Sequence, residues 1–174
     1  MAWDDDLALS MDVFDRLIRP VLPKLVRGEC VRVEGREEEI AQMLDKQIGI
    51  DALIVREDAT FALGSRVQIN KGVWDTFTIR CERQSGHITE LEKLKNAIKN
   101  EAMRPHLSMH AYVVDGELKS VAMARTKDII EFIENNNCPE RTAWDEHGWQ
   151  KFKVVHWYKM QEQGYQVNII KKAG

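Results

Sequence analysis

The sequence predicts an α/β protein with a mixed central sheet flanked by helices, folded as a single domain over residues 1–174. Three observations predict this class. Three consecutive β-type runs lie between residues 50 and 83, where apolar side chains alternate or run on as strands require. Helical periodicity occurs before and after these runs. The length of 174 residues and the 44% hydrophobic content are sufficient for one ordinary core.

The N-terminal part predicts two helices joined by a short extended piece. Apolar residues follow helical spacing over 7–26, and Pro20 predicts that this helix ends or kinks near Arg19. Residues 30–34 are β-type. A second helix is expected over 36–46, because glutamates in a first turn suit the positive end of the helix dipole. These glutamates are Glu37, Glu38 and Glu39.

A carboxylate interrupts the first of the central β-type runs. Residues 50–55 are almost continuously apolar, which is typical of a strand buried on both faces, and Asp51 lies near the start. A buried carboxylate costs free energy unless it is paired or binds a metal. Asp51 is therefore a candidate functional residue, and capping a neighbouring turn at the open end of the strand is the structural alternative.

The next two strands carry polar side chains that are unusual in strand interiors. Over 60–69, alternation places Arg66 and Gln68 on one face, beside small residues. Over 74–83, it places Arg80 on the same face as two threonines. A guanidinium matches phosphate oxygens in a bidentate way, so both arginines are candidate phosphate ligands. The structural alternatives are snorkelling at a sheet rim and pairing with a cross-strand acid.

A helix is expected after the third strand, with Ser85 as its N-cap. Glu90 and Lys93 are three residues apart and therefore share a face of this helix. They either form a salt-bridged exposed face or point back over the sheet, toward Asp51 and Arg66.

The second half predicts a hairpin followed by a helix. Strands over 107–114 and 118–124 flank Asp115–Gly116, a dipeptide typical of hairpin turns. A helix is expected over 126–135, with Thr126 as its N-cap. This part of the chain ends in a last β-type run.

Tryptophans and histidines are scattered over residues 144–157, ahead of the last β-type run over 165–170. Aromatic rings can stack on nucleobases, and core or rim packing is the structural alternative. The five histidines lack the spacing of zinc motifs. The three cysteines are far apart and odd in number, which predicts a reducing, cytoplasmic compartment without structural zinc. No apolar run is long enough to span a bilayer.

Charge is unevenly distributed along the chain. The total is −3, but residues 1–63 carry −6, residues 64–104 carry +3 and residues 105–174 are balanced. A protein that coats DNA regardless of sequence is normally basic throughout. The confined positive excess favours a local phosphate site instead.

The order of these elements, with Gly49-Ile50-Asp51 at a strand start and polar residues on the next strand, resembles the PD-(D/E)XK nuclease superfamily. Restriction endonucleases and Holliday-junction resolvases belong to it. The resemblance covers about residues 30–115, and it implies a restriction-endonuclease-like αβββαβ core with 116–174 as a C-terminal extension. The string from Arg66 to Lys93 is also similar to uncharacterised proteins of phages and mobile elements.

The resemblance implies a metal-dependent nuclease (a hydrolase) that cleaves nucleic-acid phosphodiesters with Mg²⁺ or Mn²⁺ held by two acids. Asp51 matches the first acid. The superfamily has (D/E)-x-K on the next strand, where this chain has either Arg66-x-Gln68 or Gln68-x-Asn70. Neither alignment supplies the acid or the lysine.

The catalytic set implied by the resemblance is therefore relocated. Glu90 becomes the second metal ligand beside Asp51, with Glu34 or Glu38 as the next choices. Gln68 helps to hold the metal through its carbonyl oxygen, and the ammonium group that orients the attacking water comes from the helix after the third strand. This group is on Lys93.

Three functions stay open at this point. The first is the active nuclease. The second is a catalytically inactive module that binds phosphate or nucleic acid on the same fold. The third is a phage-type inhibitor whose acidic N-terminal part binds a host protein. A homodimer through 116–174 is a further expectation. The phosphate-binding set consists of Arg66, Arg80, Arg83 and Ser85.

Overall fold

Two sheets organise the structure, a computed structural model that describes residues 9, 11–36, 38–145 and 148–172. In this part of the chain, nine strands form a six-stranded mixed sheet and a three-stranded antiparallel sheet. The predicted mixed α/β class is confirmed. No described helix is long and apolar enough to cross a membrane. Leu7, Glu37 and His147 lie outside the described residues.

The strands are β1 (Glu29–Arg32), β2 (Ala52–Val55), β3 (Thr60–Ile69), β4 (Thr76–Arg83), β5 (Leu107–Val114), β6 (Glu117–Arg125), β7 (Glu140–Asp145), β8 (Gly148–His156) and β9 (Val167–Lys171). The helical segments are α1 (Phe14–Ile18, Arg19–Val21 and Leu22–Leu25), α2 (Glu39–Gln42, continued over Met43–Ile48), α3 (Glu90–Lys99), α4 (Thr126–Asn135) and α5 (Trp157–Glu162).

The large sheet has the strand order β1-β2-β3-β5-β6-β9, in which only the β3–β5 pair is parallel. Both of its faces are buried. Apolar side chains of α1, such as Phe14 and Ile18, cover one face over Leu63 and Ala111. On the other face α4, α5 and the small sheet form a second cluster around Tyr112. The large sheet therefore lies between α1 and a layer that includes the small sheet.

The restriction-endonuclease-like core is not confirmed, because the third central strand lies elsewhere. This strand begins at Thr76 and pairs with β8 in the small sheet, in the order β4-β8-β7. Its connection from β3 passes through left-handed residues, Asn70 and Asp75 with φ of 53° and 50°, which turn the chain away from β3. The place beside β3 is taken by β5 instead. Residues 116–172 complete both sheets with β6, β7, β8 and β9.

The two sheets are joined by side chains of the large sheet that bind the free backbone edge of β4. The Thr76 N–H donates to the Tyr112 hydroxyl at 3.3 Å, and this hydroxyl donates to the Thr76 carbonyl at 3.0 Å. The Thr78 N–H donates to Nδ1 of His110 at 3.2 Å, and Arg66 donates to the Thr78 carbonyl at 2.9 Å. Polar side chains of β3 and β5 thus satisfy main-chain groups that would otherwise be unpaired.

Most element predictions are confirmed in type. The predicted end of the first helix near Arg19 is not found: the helical geometry changes over Arg19–Val21, which contains Pro20, and α1 continues to Leu25. The hairpin closes through Asp115 and Gly116 with φ of 52° and 72°, as a type I′ turn requires. The prediction that 50–55 forms a strand buried on both faces is wrong. The strand β2 is shorter, Ala52–Val55, and its last residue is exposed.

Both predicted N-caps are wrong. Helix α3 begins at Glu90, and its N-cap is Thr89, which forms a capping box with Glu92, so Ser85 lies well before the helix. Helix α4 begins at Thr126 itself. Its hydroxyl is 2.8 Å from Ser108 Oγ on β5, so it ties the helix start to the sheet instead of capping.

Candidate functional site

A polar cavity of about 300 Å³ lies where the large sheet, the small sheet and α3 meet. Its lining comes mainly from the end of α2, from Asp51 just before β2, from β3, β4 and β5, and from α3 and α4. Eight residues were predicted for the site, and six of them line this cavity. They are Asp51, Arg66, Arg80, Arg83, Glu90 and Lys93.

Asp51 is fixed by its backbone and by one neighbouring serine. Its N–H donates to the Leu63 carbonyl, and its carbonyl accepts from the N–H groups of Val33 and Glu34, all at 2.9 Å. Its Oδ2 accepts from the Ser65 N–H and from Ser65 Oγ, the latter at 3.0 Å. Sequence reasoning missed Ser65, although antiparallel pairing of 50–55 with 60–69 places it opposite the start of the run.

The Asp51 carboxyl changes charge near neutral pH. Burial raises its pKa to about 7, the Ser65 hydrogen bonds oppose this rise, and the charge of Glu34 adds to it. The cavity therefore carries one more negative charge above this pH than below it. A carboxyl with such a pKa is typical of functional sites, although structural burial also produces it.

Two guanidinium groups contact one aromatic ring at the boundary of the cavity. Arg66 lies 4.9 Å and Arg80 lies 5.7 Å from the centroid of Phe152 on β8. Arg66 is held by the carbonyl and the hydroxyl of Thr78, at 2.9 and 3.1 Å. Burial lowers the pKa of Arg80, and the nearby charge of Arg66 lowers it further. Nε of Arg80 is buried and has no hydrogen-bond partner among the described residues.

Arg83 is partly a structural residue. Its Nε donates to the His87 carbonyl at 3.1 Å and its Nη2 donates to the Ile88 carbonyl. These bonds hold the loop that leads into α3. Ser85 lies in that loop, is exposed and does not line the cavity. The predicted phosphate-binding set is thus brought together without Ser85.

Helix α3 supplies an acid and a cation to the rim of the cavity. Oε2 of Glu90 accepts from the Arg80 N–H at 3.3 Å, which continues the row of bonds along the edge of β4. No ion pair between Lys93 and a described residue is found. Lys95, two positions further on, instead pairs with Glu134 at 3.2 Å. Because Glu90 and Lys93 both line the cavity, the structure agrees with the alternative in which they point back over the sheet.

The floor of the cavity contains His110, which sequence reasoning did not select. It is the register partner of Arg66 in the β3–β5 pair. Burial lowers its pKa to about 3, and the charge of Arg66 acts in the same direction, so the ring is neutral. Its Nδ1 accepts from the Thr78 N–H, which places the proton on Nε2. His110 could not be selected from the sequence, because its position beside Arg66 depends on the pairing of β3 with β5.

Gln68 is separated from the other predicted catalytic residues. It lines a second cavity on the far side of Arg66, not the one that holds Asp51. The alternative ligands are also occupied: Glu34 accepts from Arg32 at 3.1 Å, and Glu38 lies 3.9 Å from Arg36.

The residues present do not fit a preformed metal site. Among the residues that the structure describes, no group of three or more His, Cys, Asp or Glu side chains could hold an ion. Oδ2 of Asp51 already accepts two hydrogen bonds from Ser65, and Oε2 of Glu90 accepts one from Arg80. The cavity lining has five Lys and Arg side chains against two carboxyls. This balance suits an anion.

No family model, no curated protein and no solved structure matches the chain.

Proposed function

We propose that the polar cavity binds phosphate groups of a nucleic-acid backbone, and that the protein is a nucleic-acid-binding module. One observation carries this proposal. Arg66 and Arg80 lie against the same Phe152 ring, and burial and the charge of Arg66 lower the pKa of Arg80. Like charges are kept this close at a cost, and a phosphate between them offsets it. Guanidinium and phosphate also match in bidentate geometry.

Lys93 and Arg83 extend the positive lining toward α3, where Lys93 provides a point charge on a long side chain. Asp51 opposes an anion once it is ionised. We therefore expect phosphate binding to weaken as the pH rises through the Asp51 pKa of about 7.

Fluorescence anisotropy with labelled single-stranded and duplex oligonucleotides tests the proposal. Arg80→Ala is expected to weaken binding about tenfold and to lower the slope of log K against log salt by about one, because one phosphate contact is lost. Arg16→Ala is the matched control, since Arg16 pairs with Asp12 on α1, across the large sheet from the cavity. Equal affinities for wild type and Arg80→Ala overturn the proposal, as does an absence of binding to every oligonucleotide.

A metal-dependent nuclease is the second candidate, in line with the PD-(D/E)XK resemblance. It is favoured by the presence of Asp51, Glu90 and Lys93 in the same cavity as the arginines. The described His, Cys, Asp and Glu side chains do not form a group of three or more that could hold Mg²⁺ or Mn²⁺. Calorimetric titration of Mn²⁺ into wild type and Asp51→Ala decides between the candidates. Binding that depends on Asp51, together with cleavage of an oligonucleotide, would favour the nuclease.

Three further expectations accompany the proposal. A cytoplasmic location fits the free state of Cys30, Cys81 and Cys138. A homodimer through 116–174 and a host-protein partner of a phage-type inhibitor stay predictions. Size-exclusion chromatography with light scattering measures the first of these two directly.

A further inference from the structure

A second cavity, of about 780 Å³, opens on the other side of Arg66, between β3 and β7. We term it the aromatic groove. Its described lining contains three aromatic rings and three cations but no Asp or Glu. These side chains are Trp74, Trp144, Phe152, Arg66, Lys71 and Arg141.

The rings and cations of the groove are ordered by the register of the small sheet. Phe152 on β8 is the cross-strand partner of Arg80 on one side and of Arg141 on the other. These three side chains therefore form a row across one face of the sheet. Arg141 lies 4.1 Å from the centroid of the Trp74 ring, so the groove presents a stacked cation and ring.

The polar cavity and the aromatic groove are adjacent. Arg66 and Thr78 line both, and Arg66 lies over the Phe152 ring at their boundary. Arg66 and Thr78, which are hydrogen-bonded to each other, thus separate the two cavities. A strand that lies across Arg66 could place a phosphate on one side and a base on the other.

Two features of the groove indicate an occupant with flat rings and hydrogen-bonding edges. Trp144 on the edge strand β7 is 74% exposed, although a ring of this size usually finds a packing partner. Oε1 of Gln68 is buried in the groove wall and has no hydrogen-bond partner among the described residues. An amino group on a base edge supplies the donor that this acceptor needs.

We infer that the aromatic groove is a base-binding subsite for single-stranded nucleic acid. This inference rests on the proposed function, since the phosphates of the same strand occupy the polar cavity. The bases stack on Trp144 and on the Trp74–Arg141 pair, and Gln68 accepts from a base edge. A duplex is excluded from this subsite because its bases are already stacked and paired, so the rings have no free base face to contact.

The experiment compares two oligonucleotides of equal length and charge, one carrying bases and one abasic throughout. Wild type is expected to bind the base-bearing strand at least about tenfold more tightly, since stacking on a protein ring adds this much for a single base. Trp144→Ala and Gln68→Ala should reduce this ratio while leaving the affinity for the abasic strand unchanged. Arg80→Ala should weaken both strands equally.

Tyr158→Ala is the matched control, because Tyr158 is half exposed on α5 and does not line the groove. It should behave as wild type with both strands. Circular dichroism of each variant verifies that the fold is retained.

The two proposals fail in different ways. If wild type binds the two strands equally, or if Trp144→Ala keeps the wild-type ratio, the aromatic groove is not a base subsite, while phosphate binding stands. If wild type binds neither strand, the proposed function fails and this inference fails with it. Competition by a poly-glutamate peptide as effective as that of the base-bearing strand also overturns the inference, since the groove then recognises negative charge alone.

Discussion

The two sheets differ in what their side chains face. The large sheet buries both faces, and residues such as Leu63 and Ala111 have no exposed surface. In the small sheet, by contrast, all six residues of β7 are exposed, and one face carries the row Arg80, Phe152 and Arg141. We therefore expect β7 to contribute little to stability compared with the large sheet, and the row of side chains beside it is the surface on which the proposed binding depends. The polar cavity lies where they meet, with Asp51 from one sheet and Arg80 from the other.

The largest expected effect is in the large sheet. Leu63→Ala should lower the free energy of unfolding by about 2–5 kcal/mol, because it removes buried methyl groups and leaves a cavity against α1. Thr142→Ala on exposed β7 should change it by less than about 0.5 kcal/mol. Urea denaturation measures both. Similar losses for the two variants would remove the contrast between the sheets.

The next effect is a pH dependence that comes from Asp51. Because the folded-state pKa is raised to about 7, the protonated carboxyl stabilises the fold. This contribution is complete below about pH 4, the ordinary range of a free carboxyl, and is lost as the pH rises toward 7. Asp51→Asn should not lose this contribution. Its unfolding free energy relative to that of wild type should therefore increase by a few kcal/mol between about pH 4 and pH 7, since each pKa unit corresponds to about 1.4 kcal/mol.

The stability of wild type alone would not isolate Asp51, because His110 also makes the unfolding free energy depend on pH. Its pKa of about 3 lies below the ordinary value, so its contribution is complete above about pH 6.5 and is lost as the pH falls. The two groups act in opposite directions over the same range. Denaturation of wild type alone would mix them, whereas the difference between wild type and Asp51→Asn isolates the carboxyl. A difference that is independent of pH contradicts the raised pKa.

A smaller effect separates two lysines of the same helix. Lys93→Ala should weaken oligonucleotide binding several-fold and lower the salt slope by about one, because Lys93 lines the polar cavity. Lys95→Ala should leave binding unchanged, since Lys95 pairs with Glu134 outside it. Anisotropy titrations at two salt concentrations measure both. Equal losses would show that helix charge in general, and not the cavity, attracts the ligand.

The smallest expected effect is on the stability of the small sheet. Trp144→Ala should change the free energy of unfolding by less than about 0.5 kcal/mol, because the ring is 74% exposed. Thermal unfolding followed by circular dichroism measures this. A large loss would mean that β7 contributes to stability, and the division between the two sheets would then disappear.

The sequence predicts most elements and several site residues, because these depend on local pattern. Alternation along β3 places Arg66 and Gln68 on one face, and the spacing of Glu90 and Lys93 places both on one side of α3. Which cavity a side chain reaches depends on strand pairing. Gln68 shares a face with Arg66 but lies beyond it, in the aromatic groove.

The departure of β4 from the large sheet was not predictable from its own residues. Its apolar and polar alternation suits an edge strand in either sheet. Its partner β8 follows about 70 residues later, in a region where scattered Trp and His side chains hide the strand pattern. His110 was missed for the same reason, since its role comes from its place opposite Arg66 in a parallel pair. Long-range pairing, not local propensity, decided these points.

The covered edge of β4 has a consequence for how the molecule behaves at high concentration. The main-chain groups that an edge strand normally leaves open are bound here by four side chains. These are Tyr112, His110, Arg66 and Glu90. An open edge is a template on which another chain can add a strand, and proteins commonly block such templates. Three side chains of the polar cavity, together with Tyr112, thus also cover an edge on which another chain could pair. Removing them exposes an aggregation-prone edge, so any loss of binding in such variants has to be separated from loss of the monodisperse protein.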